Sequence, residues 1–211
     1  NLYNEQKAAN KDIKVNDIVQ GDNGVIWIAT NNGLFEIIEN KEVPFSFSFK
    51  KIDKKIISPL YVASLHKRKN GEILIGTSQG LKRIFPEIKS KKLIQSNEKI
   101  HEIEQIKQLD NQTILSFFED RNGVVWVGTD RGLFKIIYDK FSSIKLISKV
   151  SLNGLKTRVK NISSDDKGNI WFGTRKDGLF LLDTKSNKLK QFKKKAKRES
   201  FQLKSNSILD L

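Results

Sequence analysis

The chain has 211 residues, 37% of them apolar, enough to bury the core of one or two globular domains. It has no cysteine, which excludes disulfide staples and Cys-ligated metal, and no apolar run approaches the length of a membrane-spanning helix. Its 39 basic and 24 acidic residues give a net charge of +15, a field that draws acidic partners. The lysines are nevertheless spread along the chain. The densest run, Lys188–Arg198, lacks interleaved aromatics and reads as solvated strand and loop, so no nucleic-acid partner is expected.

The opening stretch, NLYNEQKAANKDIK, is polar and has no signal-peptide core, and Met is absent throughout. The expectation is a segment cut from a longer protein. A first unit of about 15–57 follows, in which Gly24 leads to Trp27, Thr30 and Gly33. A second, about 60–107, repeats the offsets with Gly71, Leu74, Thr77 and Gly80. The third, about 112–150, has Gly123, Trp126, Thr129 and Gly132. The fourth, about 157–195, has Gly168, Trp171 and Thr174, with one inserted residue before Gly178. The Gly-Leu pairs starting at 33, 80, 132 and 178 are thus spaced by 47, 52 and 46 residues, and all three tryptophans occupy one repeat position. Such self-similarity is the sequence signature of a repeat architecture.

The third unit shows what each repeat encodes. ILSFFED (114–120), VVWVGT (124–129), GLFKIIYD (132–139) and SIKLISK (143–149) are short β-branched and aromatic runs bounded by Gly, Asn and Asp. They read as four antiparallel strands, the content of a propeller blade. The fold class is therefore all-β: a β-propeller fragment of about four blades. SNSILDL (205–211) reads as the first strand of a fifth. Asp120 and Asp166 fall at the turn after the first strand, where a carboxylate holds the hairpin. Two residues beyond each Trp position stands a small residue, Ala29, Gly76, Gly128 or Gly173, on the same strand face. A ring beside a missing side chain suits face-to-face packing of successive blades. Phe35, Phe134 and Phe180 are expected to extend that seam. An arc of four blades would leave its first and last faces apolar and open to self-association.

FFEDRNGVVWVGTDRGLFKI (117–136) is a close instance of the pattern I-x-x-D-x-x-G-x-x-W-x-G-T-x-x-G-L, and NISSDDKGNIWFGTRKDGLFLL (161–182) and DIVQGDNGVIWIATNNGLFEI (17–37) are good ones, the last with Gly21 at the Asp position and Ala29 at the second Gly. This resembles the two-component regulator propeller repeat, over about Asp17 to Lys195. SLHKRKNGEILIGTSQGLKRI (64–84) departs from it by carrying Leu74 for Trp. The resemblance implies part of a seven-bladed propeller in the periplasmic sensor region of a hybrid two-component histidine kinase. Such sensors respond to oligosaccharides and relay the signal to a kinase that this chain does not contain.

Catalytic signatures are missing: G-x-S-x-G, H-E-x-x-H, G-x-x-x-x-G-K-[ST] and G-x-G-x-x-G do not occur. His66 and His101 have no partner cluster and read as strand-surface histidines, so no metal, cofactor or catalytic residue is expected. Paired carboxylates at 119–120 and 165–166 could in principle cleave a glycoside, and SSDDKGNIW also resembles the Asp-box hairpin of sialidase-type propellers. A sialidase would further need clustered arginines and a tyrosine nucleophile, for which Tyr3, Tyr61 and Tyr138 offer no supporting pattern. A glycosidase is the weaker alternative to a binding propeller, and a protein-interaction propeller is the other. Candidate binding residues lie in the loops joining the second and third strands, where the repeats stop agreeing. They are Asn31, Asn32, Gln79, Asp130, Arg131, Arg175 and Lys176, with Arg158 from a connection. Arg131 and Arg175 are the foremost, since arginine can fork onto an acidic sugar.

Overall fold

A computed structural model of the chain describes residues 12–22, 24–39, 43–52, 57, 60–85, 103–153, 157–194, 203 and 205–208. Among these residues sixteen strands form four separate antiparallel sheets, and in each the strands are joined in sequence order. The first holds β1 (Val15–Gln20), β2 (Ile26–Thr30), β3 (Gly33–Glu39) and β4 (Phe47–Lys51). The second holds β5 (Val62–Lys67), β6 (Ile73–Thr77), β7 (Gly80–Ile84) and β8 (Ile103–Ile106). The third holds β9 (Ile114–Glu119), β10 (Val125–Thr129), β11 (Gly132–Tyr138) and β12 (Ile144–Lys149). The fourth holds β13 (Val159–Ser164), β14 (Ile170–Thr174), β15 (Leu179–Leu182) and β16 (Leu189–Phe192). Four-stranded up-and-down sheets are propeller blades, so the all-β reading stands. The chain divides into two compact units, Asn1–Asn111 and Gln112–Leu211, with two blades in each.

Burial grades across a blade. The second strands β6 and β10 are buried throughout, while the outermost strands β4, β12 and β16 are half-exposed or exposed. This is why second strands read as continuous apolar runs, and why the start of the basic run, Leu189–Phe192, is solvated on β16. Within the first unit, Trp27, Ala29 and Leu34 share one core with Val62, Leu65, Ile73, Ile75 and Ile84 of the second blade. Within the second unit, Trp126 and Leu133 share a core with Val159, Ile170, Phe172, Phe180 and Leu182. Each fully buried large apolar side chain contributes about 1.5–3 kcal/mol.

The register corrects the expected role of the phenylalanines. Ala29 pairs with Leu34 and Gly128 with Leu133, so these leucines share the Trp face. Phe35 pairs with Ile28, Phe134 with Val127 and Phe180 with Phe172, on the opposite face. Phe35 and Phe134 therefore point away from the seam that their own tryptophan fills. Phe180 does enter the seam between third and fourth blades, but from the far side, stacked on Phe172 with ring centroids 5.0 Å apart. Strand alternation dictates this: Phe follows Leu, and neighbours on a strand face opposite ways.

The turn aspartates are Asp120 and Asp165, not Asp166. Asp120 Oδ1 accepts the amides of Asn122 (2.9 Å) and Val124 (3.1 Å), and its Oδ2 accepts Trp126 Nε1 at 2.9 Å. Asp165 Oδ1 accepts the amides of Lys167 and Asn169, and its Oδ2 accepts Trp171 Nε1 at 3.2 Å. Asp166 is the exposed neighbour and pairs with Arg121 at 3.5 Å. Gly123, with φ of 75°, closes the turn in the left-handed region. The tryptophan thus does two things: its ring fills the seam and its N–H ties the turn to the strand.

The second blade lacks both partners, with Arg68 at the Asp position and Leu74 at the Trp position. A buried ion network replaces them. Arg68 Nη1 donates to Glu72 Oε2 at 2.8 Å and Arg83 Nη1 to Glu72 Oε1 at 3.2 Å, with the Glu72 side chain wholly buried. Arg83 also pairs with Glu104 at 2.8 Å. Arg83 lies across from Leu74 in the β6–β7 register, on the face where the other blades carry the indole.

Of the expected fifth first strand, residues 209–211 lie outside the described residues. Ile208 N donates to Thr174 O at 2.9 Å. Its side chain lies over Gly173 as Val159 lies over Gly128, which is how a following blade begins. His101 also lies outside the described residues, and His66 is half-buried on β5.

Candidate functional site

The loop between second and third strands is built on one threonine per blade. The hydroxyls of Thr30, Thr77, Thr129 and Thr174 donate to the carbonyls of Gly33, Gly80, Gly132 and Gly178 at 2.8–3.0 Å. Each also accepts a loop amide, from Asn32, Gln79, Arg131 and Asp177 respectively, at 3.0–3.1 Å. This double bond explains why Thr recurs at that position. It fixes the backbones of Asn32, Gln79 and Arg131, while the side chains of Gln79 and Arg131 reach solvent and Asn32 is half-buried. Gly132 adopts φ of 131°, which the tight hairpin requires.

The first loop position has a second duty. The amides of Asn31, Ser78, Asp130 and Arg175 donate to the carbonyls of Lys14, Tyr61, Thr113 and Arg158, at the entry to each blade's first strand. In the first blade Asn31 Oδ1 also accepts Lys14 N (2.9 Å) and its Nδ2 donates to Asp12 O (2.9 Å). In the third, Asp130 Oδ1 accepts Thr113 N at 3.0 Å. Asn31 and Asp130 are therefore held in the frame of the blade, both polar atoms of Asn31 and Oδ1 of Asp130 being bonded to backbone.

The fourth blade departs from the first and third. Arg175 keeps the main-chain bond to Arg158 O at 3.2 Å but has no side-chain acceptor to offer the entering strand. The inserted residue lengthens the loop, so Thr174 spans four residues to Gly178 instead of three. Gln191 Nε2 pins the widened loop by donating to Asp177 O at 2.8 Å. A pocket of about 200 Å3 opens there, lined by Thr157, Arg158, Arg175, Lys176 and Asp177. The structure thus brings together Arg158, Arg175 and Lys176 of the expected residues. Arg131 is not among the lining residues. Asp177 belongs to the same variable loop though not to the candidates singled out from it, and buried Thr157 was missed by sequence reasoning. The inserted residue was the signal that could have found Asp177.

Among the described residues no group of three or more His, Asp or Glu side chains could hold a metal. No helix among them is long and apolar enough to cross a membrane.

Residues 108–131 match the model of the two component regulator propeller. Over 81 residues the chain is 33% identical to histidine kinase P4 of Formosa agariphila, a match covering 36% of this chain and 6% of that one. The extracellular domain of a hybrid two-component system of Bacteroides thetaiotaomicron superposes with a TM-score of 0.68 at 22% identity, over 93% of this chain and 24% of that one. PorZ, a surface component of the type-IX secretion system of Porphyromonas gingivalis, superposes with a TM-score of 0.65 at 20% identity, over 94% of this chain and 29% of that one. The chain therefore spans a small part of each relative's length. One stretch of it, residues 108–131, matches the two component regulator propeller repeat, and its fold is that of propeller blades.

Proposed function

We propose that this run of two-component regulator propeller repeats is the ligand-sensing, extracytoplasmic part of a hybrid two-component sensor, placed in the periplasm. It recognises an oligosaccharide at the loop end of its blades. It passes the signal as a domain rearrangement to a kinase elsewhere in the parent chain, whose remaining blades complete the propeller. Binding, not chemistry, is its work.

One observation carries this reading. The hairpin frame is held by the same Thr bonds in all four blades, while the side chains projecting from that frame differ from blade to blade. Frame and variable rim are the parts of a recognition surface on a rigid scaffold. Likeness to a histidine kinase and to the extracellular domain of a hybrid system supports the sensor assignment. Calorimetric titration of the chain with a panel of neutral and acidic oligosaccharides is the test. Saturable binding of at least one is expected, and no binding across the panel would overturn the reading.

A protein-interaction role has one observation in its favour. Phe45 sits at φ of 57° and is 92% exposed at the β3–β4 turn, an unusual placement for a bulky side chain. Phe45→Ser would leave glycan titrations unchanged under the sensing reading.

A further inference from the structure

We infer that the fourth-blade pocket is an oxyanion site that takes the carboxylate or sulfate group of an acidic saccharide. This rests on the proposed sensing role and names the chemical class of its ligand. The pocket carries three cationic side chains, Arg158, Arg175 and Lys176, and one carboxylate, Asp177. None of the three cations forms an ion pair among the described residues, and Arg158 Nε is buried with no hydrogen-bond partner. A buried guanidinium N–H without an acceptor is costly, and an incoming oxyanion would satisfy it.

The repeat supplies an internal control. At the position of Arg175, blades one and three carry Asn31 and Asp130, whose side chains hold the entering strand. The fourth blade gives up that bond and gains a cation instead. It also inserts a residue, so that Lys176 and Asp177 stand where the other loops have one side chain. Both departures converge on one pocket. A net positive site with a fixed fork from arginine suits a planar or tetrahedral oxyanion. Asp177 offers an acceptor for a neighbouring sugar hydroxyl. A neutral saccharide would leave the excess of three cations over one carboxylate uncompensated.

The test titrates the full chain with three probes: an oligo-uronate, its carboxyl-reduced neutral counterpart, and a sulfated oligosaccharide. At least one charged probe is expected to bind ten-fold or more tighter than the neutral counterpart, and to weaken as salt is raised. Which charged probe binds identifies carboxylate or sulfate as the source. Arg175→Asn restores the side chain that the first blade uses, so the fold is kept. It should cost the charged probe at least ten-fold in affinity, and Arg158→Gln the same. Retention of the secondary-structure spectrum by Arg175→Asn separates lost binding from lost folding. Equal binding of the neutral counterpart would overturn the oxyanion site and leave saccharide sensing standing. Saturable binding of free sulfate, added as a fourth probe, with no saccharide bound at all would keep the site and overturn the sensing role. Unchanged affinity in both variants would overturn the assignment to this pocket.

Discussion

Replacing Gly128 by alanine tests the seam between the third and fourth blades with one methyl group. A Cβ at Gly128 would lie 2.7 Å from Val159 O and 3.0 Å from Val159 Cγ1, and it would also press on Ser116 Oγ. Ordinary contact begins at 3.4 Å, so the seam must open by roughly 0.7 Å at the carbonyl. The serine can rotate, but the carbonyl belongs to β13 and cannot move alone. Overpacking of this kind costs about 1–3 kcal/mol. Loss of glycine's freedom in the unfolded chain returns about 0.4–1 kcal/mol. The net destabilisation is therefore between about 0 and 2.6 kcal/mol, centred on about 1.3 kcal/mol, or a Tm lower by roughly 3–5 °C at the centre of that range. Thermal unfolding followed by near-ultraviolet circular dichroism reads it through the seam tryptophan. The first blade sets the control, because Ala29 at the same position is fully buried and its methyl is accommodated. Ala29→Gly should also lower Tm, by loss of a packed methyl and gain of unfolded-state freedom. A Tm of Gly128→Ala above that of the parent would refute the seam geometry.

Three further outcomes follow from the frame. Glu72→Ala leaves the Arg68 and Arg83 guanidinium groups in the second blade without their shared carboxylate, and should cost about 3–5 kcal/mol in denaturant unfolding. Asn31→Ala removes the bonds to Lys14 N and Asp12 O and should cost about 0.5–1.5 kcal/mol by the same measurement while leaving ligand affinity unchanged. The Asp165 carboxyl is held below its ordinary value, first by the hydrogen bond from the Asn169 side chain and then by bonds from backbone amides and Trp171. A depressed carboxylate contributes stability that is complete above its unfolded pKa and is lost as pH falls through the lower folded value. Asp165→Asn should accordingly flatten the acid limb of the stability profile and leave neutral pH less affected than Asp165→Ala does.

The blades were legible because their code is local. Gly123, Trp126, Thr129 and Gly132 lie within one hairpin, and the spacing that reveals them also sets their contacts. What the pattern could not assign was side. Phe134 follows Leu133, and only the hairpin register, Val127 against Phe134, decides that the two face opposite ways. The same limit applied at the turn. Asp165 and Asp166 are chemically alike, and the choice depends on which carboxylate reaches Trp171 Nε1. In the site, loop variability pointed to the right region but overcounted. Asn31 and Asp130 look like binding residues in sequence. Their partners, Lys14 N and Thr113 N, lie 17 residues away, so no local pattern announces the bond. Arg158 and Arg175 are likewise 17 apart, and only the fold shows that they line one pocket.

The second blade departs from the repeat as a set, whereas the first keeps Trp27 with Gly21 at the Asp position. Leu74 fills less space than an indole and has no N–H to tie the turn. Arg68 in place of aspartate could not have accepted that N–H in any case. The two substitutions are consistent with each other, since each removes the partner that the other residue would need. The remaining volume and charge are settled by Glu72, buried between Arg68 and Arg83, with Arg83 extending to Glu104. Lys82 adds a third change, standing where the other blades have phenylalanine and almost wholly buried. Burial pushes its ammonium below the ordinary lysine range, against the pull of the Asp110 carboxylate, and its Nζ donates to Gln105 at 3.1 Å. Restoring one consensus residue alone should therefore destabilise this blade. Leu74→Trp would set an indole against the Arg83 guanidinium, with arginine at position 68 where a carboxylate is needed to receive its N–H. Arg68→Asp would bring a second carboxylate towards Glu72. Each change regains its partner only when the other is made, so the double variant should lie above the sum of the two single ones. A double-mutant cycle measures that coupling, and strict additivity would show that the turn and the seam are independent.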